Sequence, residues 1–289
     1  MTTIRTFIKR YPLLSYFVLV FAISWGGTLI AAGPDGFQSG REFGFSYVAM
    51  LAGPCVAGIV LTGLLYGRTG LSELLSRLLK WRVDVRWYAV AILTAPLLLM
   101  AVLLGLSLAS PEFIPRIFTD KDKVFLLWYS VVAGLMVGIF EELGWTGFAV
   151  PTMRQRYGVL DTGLIVGFMF AAWDFLVVFW MSDVNSTAGR LPMAIFMPTV
   201  LFTWLPAYRV LMVWVYERTN GSLLLAMLMH TSLIAFWTSL TPRVTTLTGM
   251  PLVTYYLVFT AALWMIIGAI ALANHGRLSR QQPLRKRVA

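Results

Sequence analysis

Residues 131–151 read "VVAGLMVGIFEELGWTGFAVP" and place two adjacent acids, Glu141 and Glu142, inside an otherwise apolar run. About 20 apolar residues are enough for a helix to cross a hydrocarbon core of about 30 Å. An acid in hydrocarbon costs on the order of 3 kcal/mol on insertion scales, so it persists where it faces the interior of a bundle and has a partner or a function. The stretch therefore predicts a membrane-spanning helix that carries a buried polar site.

The composition of the whole chain indicates a membrane protein with several spans. Only 12% of the 289 residues are charged, 58% are hydrophobic, and the mean hydropathy is +0.77. A soluble domain has about one quarter charged residues. The fold class predicted is an all-α polytopic membrane helical bundle, and no polar linker is long enough to divide residues 1–289 into more than one domain.

Long apolar runs recur along the chain and predict eight transmembrane helices. These runs cover residues 12–32, 44–66, 87–109, 126–150, 160–181, 195–215, 222–240 and 252–273. In the fifth run, Gly163 and Gly167 form a small-x-x-x-small pair. Such pairs allow two helices to approach closely in a membrane, so this face predicts tight packing against a neighbour.

The positive charges predict the orientation of the bundle. The net charge of +10 does not indicate a nucleic-acid partner, because the basic residues lie in short loops and at the two ends. They are concentrated in the segments on the side of the N-terminus, and cytoplasmic loops carry the excess of Lys and Arg. With an even number of spans, both termini are predicted to be cytoplasmic.

Residues 70–86, "GLSELLSRLLKWRVDVR", have the pattern of an amphipathic helix. Leu71, Leu74, Leu75 and Leu78 recur at helical spacing, with basic residues between them. We predict a helix on the cytoplasmic membrane surface, where Arg and Lys meet anionic lipid. An ordinary cytoplasmic helical hairpin between two spans fits the pattern as well.

Few ionisable residues fall within the predicted spans. Counting 1.5 Å per residue from the helix ends puts Glu141, Glu142, Asp174 and His230 in one layer near the middle of the bilayer. Arg209 lies toward one end of the sixth span and is expected to extend its side chain to the interface. The four residues predict either a site or a buried polar network that holds the bundle together.

The chemistry of these side chains leaves several functions open. Two adjacent carboxylates in a low dielectric cannot both ionise cheaply, and one of them can act as a general base near neutral pH. Histidine can bind a metal, donate to an oxyanion or carry a proton. Glu, Asp and His are also ligands of zinc. The set fits metal-assisted hydrolysis, carboxylate-driven hydrolysis, or a proton or cation path in a transporter.

The order of three short motifs resembles the CPBP family, the CAAX-protease and bacteriocin-processing intramembrane proteases related to the abortive-infection proteins. "EELGWTGFAVP" begins at Glu141, "FMFAAWDF" contains Phe170 and Asp174 four residues apart, and "MHTSLIAF" contains His230. The family pattern is E-E-x-x-x-R, then F-x-x-x-H, then H-x-x-x-N. With the upstream "LLKWRVDVRWYAVAIL", the resemblance covers roughly residues 70–240.

The resemblance implies an intramembrane peptidase that hydrolyses a peptide bond in or near the membrane. Glu141 and Glu142 match the acids that activate water, directly or beside a metal, and His230 matches the histidine that binds the oxyanion or a metal. The implied metal is zinc or another divalent ion, with Glu142, Asp174 and His230 as ligands, and no organic cofactor is implied. The implied partners are a membrane-associated peptide or protein and the bilayer, in a bacterial plasma membrane.

Three positions depart from the family pattern. Thr146 stands where the family has arginine, Asp174 where it has histidine, and Ile234 where it has asparagine. Thr146 cannot form the arginine's ion pair with a glutamate, and Ile234 cannot donate to an oxyanion. Asp174 can still orient water or bind a cation. These departures keep open a catalytically impaired membrane binding or scaffold protein. An ion-coupled transporter is a second alternative, because ionisable residues within the spans also mark proton and cation paths.

Overall fold

The computed structural model describes residues 4–37, 39–182, 187–188, 191–242, 247–274 and 278, and nearly all of them are helical. Eleven α-helices follow one another in these segments, with a 3-10 turn at Pro111–Phe113 and a π-helical turn at Trp145–Ala149. The α-helices are α1 (Ile4–Arg10), α2 (Pro12–Ala32), α3 (Gly40–Leu78), α4 (Val85–Ser107), α5 (Arg116–Thr119), α6 (Lys123–Gly144), α7 (Val150–Arg154), α8 (Val159–Met181), α9 (Met193–Arg218), α10 (Leu223–Leu240) and α11 (Gly249–Ala273).

The all-α membrane bundle predicted from the sequence is confirmed. Within the described segments, eight helical stretches are long and apolar enough to cross a membrane, and each overlaps one predicted span. The fourth stretch runs from Lys123 to Arg154 through the π-helical turn. The only strands in these segments are the two-residue antiparallel pair Thr187–Ala188 and Leu191–Pro192 before α9.

Polar residues in the connections define where three of the spans begin. Asp84, Asp122 and Ser222 accept hydrogen bonds from backbone N–H groups in the first turns of α4, α6 and α10. The first backbone N–H groups of a helix have no partner within the helix, and a side-chain oxygen at the N-cap supplies one. These caps place α6 and α10, the helices that carry Glu142 and His230, at defined heights in the bundle.

The predicted surface helix over 70–86 is shorter than expected. Gly67, with φ 62° and ψ −151°, breaks α3, and the helical segment after it ends at Leu78. Residues 79–84 then lead into α4. Leu74 packs on Leu223 and Met227 of α10, so part of its apolar face contacts protein and not lipid. Leu71 and Leu75 are exposed.

The close packing predicted from Gly163 and Gly167 is confirmed in the contact between α8 and α9. A Cβ atom built on Gly163 would lie 2.5 Å from the Cα of Val210, and one on Gly167 would lie 2.3 Å from the Cα of Pro206. No side chain fits at either distance. The two glycines therefore bring the backbone of α8 against the part of α9 that carries Arg209.

A second close contact joins α6 to α10. A Cβ atom on Gly138 of α6 would lie 2.3 Å from Oγ1 of Thr231 and 2.7 Å from the carbonyl oxygen of Met227. On the other side of α10, the hydroxyl of Tyr208 in α9 donates to the carbonyl of Met229 at 2.9 Å. His230 is thus held between α6 and α9.

The five basic residues at the C-terminal end, on which the predicted cytoplasmic C-terminus partly depends, lie outside the described residues. A large cluster of buried apolar side chains includes members from α2 to α4 and from α7 to α11. The assignment of residues 1–289 to one domain stays a prediction.

Candidate active site

Glu142 is the most enclosed charged residue of the site, with no exposed surface. Its Oε1 atom lies 2.6 Å from Nη1 of Arg209 and 2.7 Å from Nδ1 of His230. Its Oε2 atom accepts a hydrogen bond from the hydroxyl of Thr146, one turn later in the chain. Both carboxylate oxygens are therefore occupied by protein groups, and Glu142 is fixed by residues of three different helical segments.

Arg209 does not reach the membrane interface as predicted. Only 3% of it is exposed, and it forms a buried ion pair with Glu142. A buried charge without a partner is strongly destabilising, and Glu142 supplies the partner. The guanidinium also lies over the ring of Phe170 at 4.2 Å, within the range of a cation–π contact.

The ion pair corrects an expectation drawn from the family pattern. Thr146 occupies the position of the motif arginine, and the sequence alone suggested that Glu142 or Glu141 would lack a guanidinium partner. The structure places Arg209 of α9 at that carboxylate instead, and Thr146 adds a neutral hydrogen bond to the second oxygen. The sequence contains a sign of this role, since the apolar run "VLMVWVY" separates Arg209 from the charged end of its helix.

His230 is held in one orientation by Glu142. Because Nδ1 faces a carboxylate oxygen at 2.7 Å, we assign the proton of the neutral ring to Nδ1. Nε2 is then an acceptor, and it lies 3.9 Å from Oε2 of Glu141. The ring also packs edge-on against Phe170, with 5.9 Å between ring centroids. Glu142 thus orients the imidazole so that Nε2 faces the other glutamate.

Glu141 differs from its neighbour in having a carboxylate oxygen without a protein partner. Its Oε2 atom is buried, and none of the described residues makes a hydrogen bond to it. Glu141 lines a cavity of about 380 Å³, together with Asp174, His230 and Ile234. A buried acceptor without a partner destabilises the folded protein, and such a group is often explained by a role in binding or catalysis. The two adjacent acids therefore have separate environments, one fixed by the protein and one facing the cavity.

The cavity extends from Glu141 toward one end of the bundle. On α6 it is lined by Tyr129, Ala133, Val137 and Glu141, which are four residues apart and share one face of the helix. Three helical turns separate the first and last of them, about 18 Å. The cavity reaches the end of the bundle at which α3, α6 and α9 begin. The walls are mainly aromatic and aliphatic, so an apolar segment carrying a polar bond is the type of ligand that fits.

The π-helical turn at Trp145–Ala149 follows directly after the two acids. The N–H of Trp145 reaches the carbonyl oxygens of both Glu141 and Glu142. Such wide turns often occur at functional sites. Here the turn lies where α6 passes α3, and a Cβ atom on Gly144 would be 2.1 Å from the carbonyl oxygen of Pro54. The sequence reading had no signal for this local change of helix type.

One of the three predicted metal ligands, Glu142, is bonded to protein groups through both of its carboxylate oxygens. Glu142 is bonded to Arg209, Thr146 and the Nδ1 atom of His230, so its oxygens are directed at protein groups. Among the described residues, no group of three His, Cys, Asp or Glu side chains has an arrangement that can hold a metal ion. Binding of zinc by Glu142, Asp174 and His230 stays a prediction that metal analysis can test.

Fold and site together define a class of protein, a polytopic α-helical membrane protein with a carboxylate–histidine site inside the bundle. Residues 123–236 match the family model described as "Type II CAAX prenyl endopeptidase Rce1-like". This region runs from the start of α6 into α10 and contains Glu141, Glu142, Asp174 and His230.

A relative with an assigned activity supports the same family. The chain is 22% identical over 227 residues to CAAX prenyl protease 2 of Methanococcus maripaludis, and the match covers 75% of this chain and 79% of that protein. Both findings support the resemblance to the CAAX protease family that the order of the motifs predicts. The resemblance supports an intramembrane peptidase activity in general, with a peptide substrate and a location in the lipid bilayer.

Proposed function

We propose that the protein is an intramembrane peptidase in which Glu141 is the general base. The observation that carries the proposal is the difference between the two acids. Glu142 is bonded through both oxygens, whereas Glu141 lines the cavity and its Oε2 atom makes no hydrogen bond to the residues that the structure describes. A base must be able to reach the proton that it removes.

The proposed reaction is hydrolysis of a peptide bond of a membrane-associated substrate. Glu141 takes a proton from water, and the hydroxide attacks the carbonyl carbon to form a tetrahedral intermediate. When the C–N bond breaks, the protonated Glu141 returns its proton to the leaving nitrogen. His230, whose Nε2 atom lies 3.9 Å from Oε2 of Glu141, orients that carboxyl group and can accept a hydrogen bond from its protonated form.

In this scheme Glu142 and Arg209 are positioning residues. Glu142 fixes the ring of His230, and Arg209 balances the charge of Glu142. Asp174, at the wall of the cavity, is proposed to hold the attacking water. Its carboxylate is acceptor-only when ionised, so it can receive one hydrogen bond from water while Glu141 receives the other.

The test is cleavage of a prenylated CAAX peptide, the substrate type that the name of the archaeal relative suggests. We expect Glu141→Gln to reduce kcat by at least about 100-fold, because positioned acid–base groups contribute factors of this size. The matched variant Glu141→Asp keeps the carboxyl group and should retain part of the activity. If Glu141→Gln cleaves the peptide at the rate of the native protein, Glu141 is not the base.

A second candidate function is binding of a membrane peptide without cleavage. The observation in its favour is Ile234, which lines the cavity at the position of the family's asparagine and cannot donate a hydrogen bond. Loss of one oxyanion donor costs about 100- to 1,000-fold in kcat. Binding of the prenylated peptide with no cleavage by the native protein would favour this function over hydrolysis.

Restoring family residues separates the two candidates. The double variant Asp174→His with Ile234→Asn changes the two departures that line the cavity. Thr146 is left as it is, because Arg209 already supplies the guanidinium at Glu142. Cleavage by the double variant alone identifies the native chain as a binding protein, whereas cleavage by both proteins supports the peptidase.

We further propose that the protein lies in a bacterial plasma membrane with both termini in the cytoplasm. The distribution of basic residues supports this orientation, although one residue must be left out of the count of cytoplasmic charges. Arg209 belongs to the buried site and no longer counts as a cytoplasmic residue. In this orientation the described ends of α3, α6 and α9 that border the cavity face the outside, so the substrate enters from the outer half of the membrane.

A further inference from the structure

Two indole N–H groups at the cavity wall have no acceptor in the described part of the protein. Trp173 of α8 and Trp204 of α9 both line the cavity that contains Glu141. They are 1% and 7% exposed, and the Nε1 atom of each is buried with no hydrogen-bond partner among the described residues. By contrast, the indole of Trp25 donates to the carbonyl of Trp173 at 2.8 Å.

Both indoles pack against other aromatic rings of the described residues. Trp173 packs against Trp145 and Phe170, with ring centroids 5.8 Å and 5.3 Å away. Trp204 stacks on Trp237 at 4.9 Å with an angle of 11° between the rings. Buried indoles usually find an acceptor, because an N–H group removed from water without a hydrogen bond is unfavourable. Both residues line the cavity, so a ligand bound there is a candidate source of acceptors.

A peptide, the type of ligand in the proposed function, carries such acceptors. The asparagine of the family pattern, which could donate to them, is replaced in this chain by Ile234. Ile234 lies one turn before Trp237 on α10, and Trp204 stacks on that tryptophan. A bound peptide brings several carbonyl oxygens into an apolar cavity, where each must be hydrogen-bonded. Ile234 cannot provide a bond, whereas Trp204 on the neighbouring helix and Trp173 next to Asp174 both can.

We propose that Trp173 and Trp204 are substrate-binding residues whose indole N–H groups donate to backbone carbonyl oxygens of the peptide. The proposal rests on the proposed function for the nature of the ligand, a peptide. The two tryptophans would then bind the peptide through hydrogen bonds as well as through apolar contact. Recognition of the peptide backbone would depend on α8 and α9, the helices that carry them.

The experiment compares variants that remove one N–H group each. Trp173→Phe and Trp204→Phe keep an aromatic ring, and benzothienylalanine at position 204 keeps the full ring size while replacing N–H by sulfur. Trp214→Phe is the matched control, because Nε1 of Trp214 is also buried without a partner among the described residues but does not line the cavity. Binding of the prenylated CAAX peptide is measured in a Glu141→Gln background, and KM and kcat are measured in the native background.

We expect peptide affinity to fall about fivefold for each cavity variant, which is the usual effect of one lost hydrogen bond. KM should rise accordingly, the control should bind like the parent protein, and thermal stability without peptide should not fall for the sulfur analogue. A merely structural role would lower stability in the absence of peptide. Unchanged affinity in both cavity variants would overturn the inference.

The two proposals can fail separately in this experiment. If Glu141→Gln abolishes cleavage and the tryptophan variants bind normally, the peptidase stands and the tryptophan role is wrong. If the native protein binds the peptide without cleaving it and the tryptophan variants lose affinity, the tryptophan role stands and the peptidase is wrong. Absence of any peptide binding by the parent protein overturns the tryptophan role as well.

Discussion

At the level of single residues, the site depends on how Glu142 is held. The ion pair with Arg209 is almost completely buried, and a second contact connects the same oxygen to His230. Two helices that lie far from α6 in the chain, α9 and α10, therefore meet at its carboxylate. This contact gives Glu142 a guanidinium partner although Thr146 stands at the position of the arginine in the first motif.

Removal of Arg209 is expected to destabilise the protein strongly. We expect Arg209→Met to lower the free energy of unfolding by about 3–5 kcal/mol, because it leaves a buried carboxylate without its countercharge. The matched control is Arg86→Met, since Arg86 forms an exposed pair with Asp84 at 3.1 Å and such pairs contribute about 0–1 kcal/mol. Unfolding in detergent with increasing denaturant measures both effects.

A double variant shows whether the loss comes from the pair. Glu142→Gln combined with Arg209→Met should be less destabilising than the sum of the single changes, because residues in one ion pair are not additive. Additive losses would mean that Arg209 stabilises the bundle by its contact with Phe170 and not through Glu142.

Metal content is also decided by individual side chains. We expect purified protein to carry little zinc, and equal amounts in the native form and in His230→Ala, because Glu142 is directed at Arg209, Thr146 and His230. Elemental analysis of protein purified without chelators measures this. Near-stoichiometric zinc that falls in both His230→Ala and Glu142→Ala would support the metal ligands predicted from the sequence and would replace the metal-free scheme.

At the level of helices, two glycine contacts position the site. Gly163 and Gly167 bring α8 against α9, and Gly138 brings α6 against α10. The first contact puts Phe170 beside Arg209, and the second puts Glu142 beside His230. Small residues at helix interfaces thus determine which polar groups can reach one another.

Substitution at the α8–α9 contact is expected to separate the helices. We expect Gly167→Ala to cost about 1–3 kcal/mol, because its Cβ atom would lie 2.3 Å from the backbone of Pro206 and helix positions must shift. Peptide cleavage should fall as Phe170 moves away from Arg209. The control Gly105→Ala in α4 has no atom within 4 Å of the added methyl group and should be neutral or stabilising.

At the level of the whole molecule, the two ends of the bundle differ, because the cavity lies toward only one of them. One end, where α3, α6 and α9 begin, borders the cavity. The other end is joined by polar contacts, including an ion pair between Arg154 and Glu217 and a hydrogen bond from Lys80 to the carbonyl of Asn220. The basic residues of the connections lie mainly at this second end.

Thiol labelling in intact cells tests the proposed orientation. In a Cys55→Ala background, which removes the only cysteine, Lys121→Cys lies in the exposed connection before α6 and Arg82→Cys in the connection between α3 and α4. We expect a membrane-impermeant maleimide to label the first and not the second, because the positive charge bias puts residue 82 inside. Both should react in permeabilised cells, and the reverse pattern would place the termini outside.

The sequence by itself determined the number and positions of the spans, because hydrocarbon thickness acts on local length and composition. It also singled out Glu141, Glu142, Asp174 and His230, since acids and a histidine are rare in such runs. Only the tertiary structure decided their partners. Arg209 lies 67 residues and His230 88 residues beyond Glu142, so these contacts depend on the packing of α6, α9 and α10. For this reason the sequence predicts an interface position for Arg209, and the different environments of the two glutamates emerge only from the packed bundle.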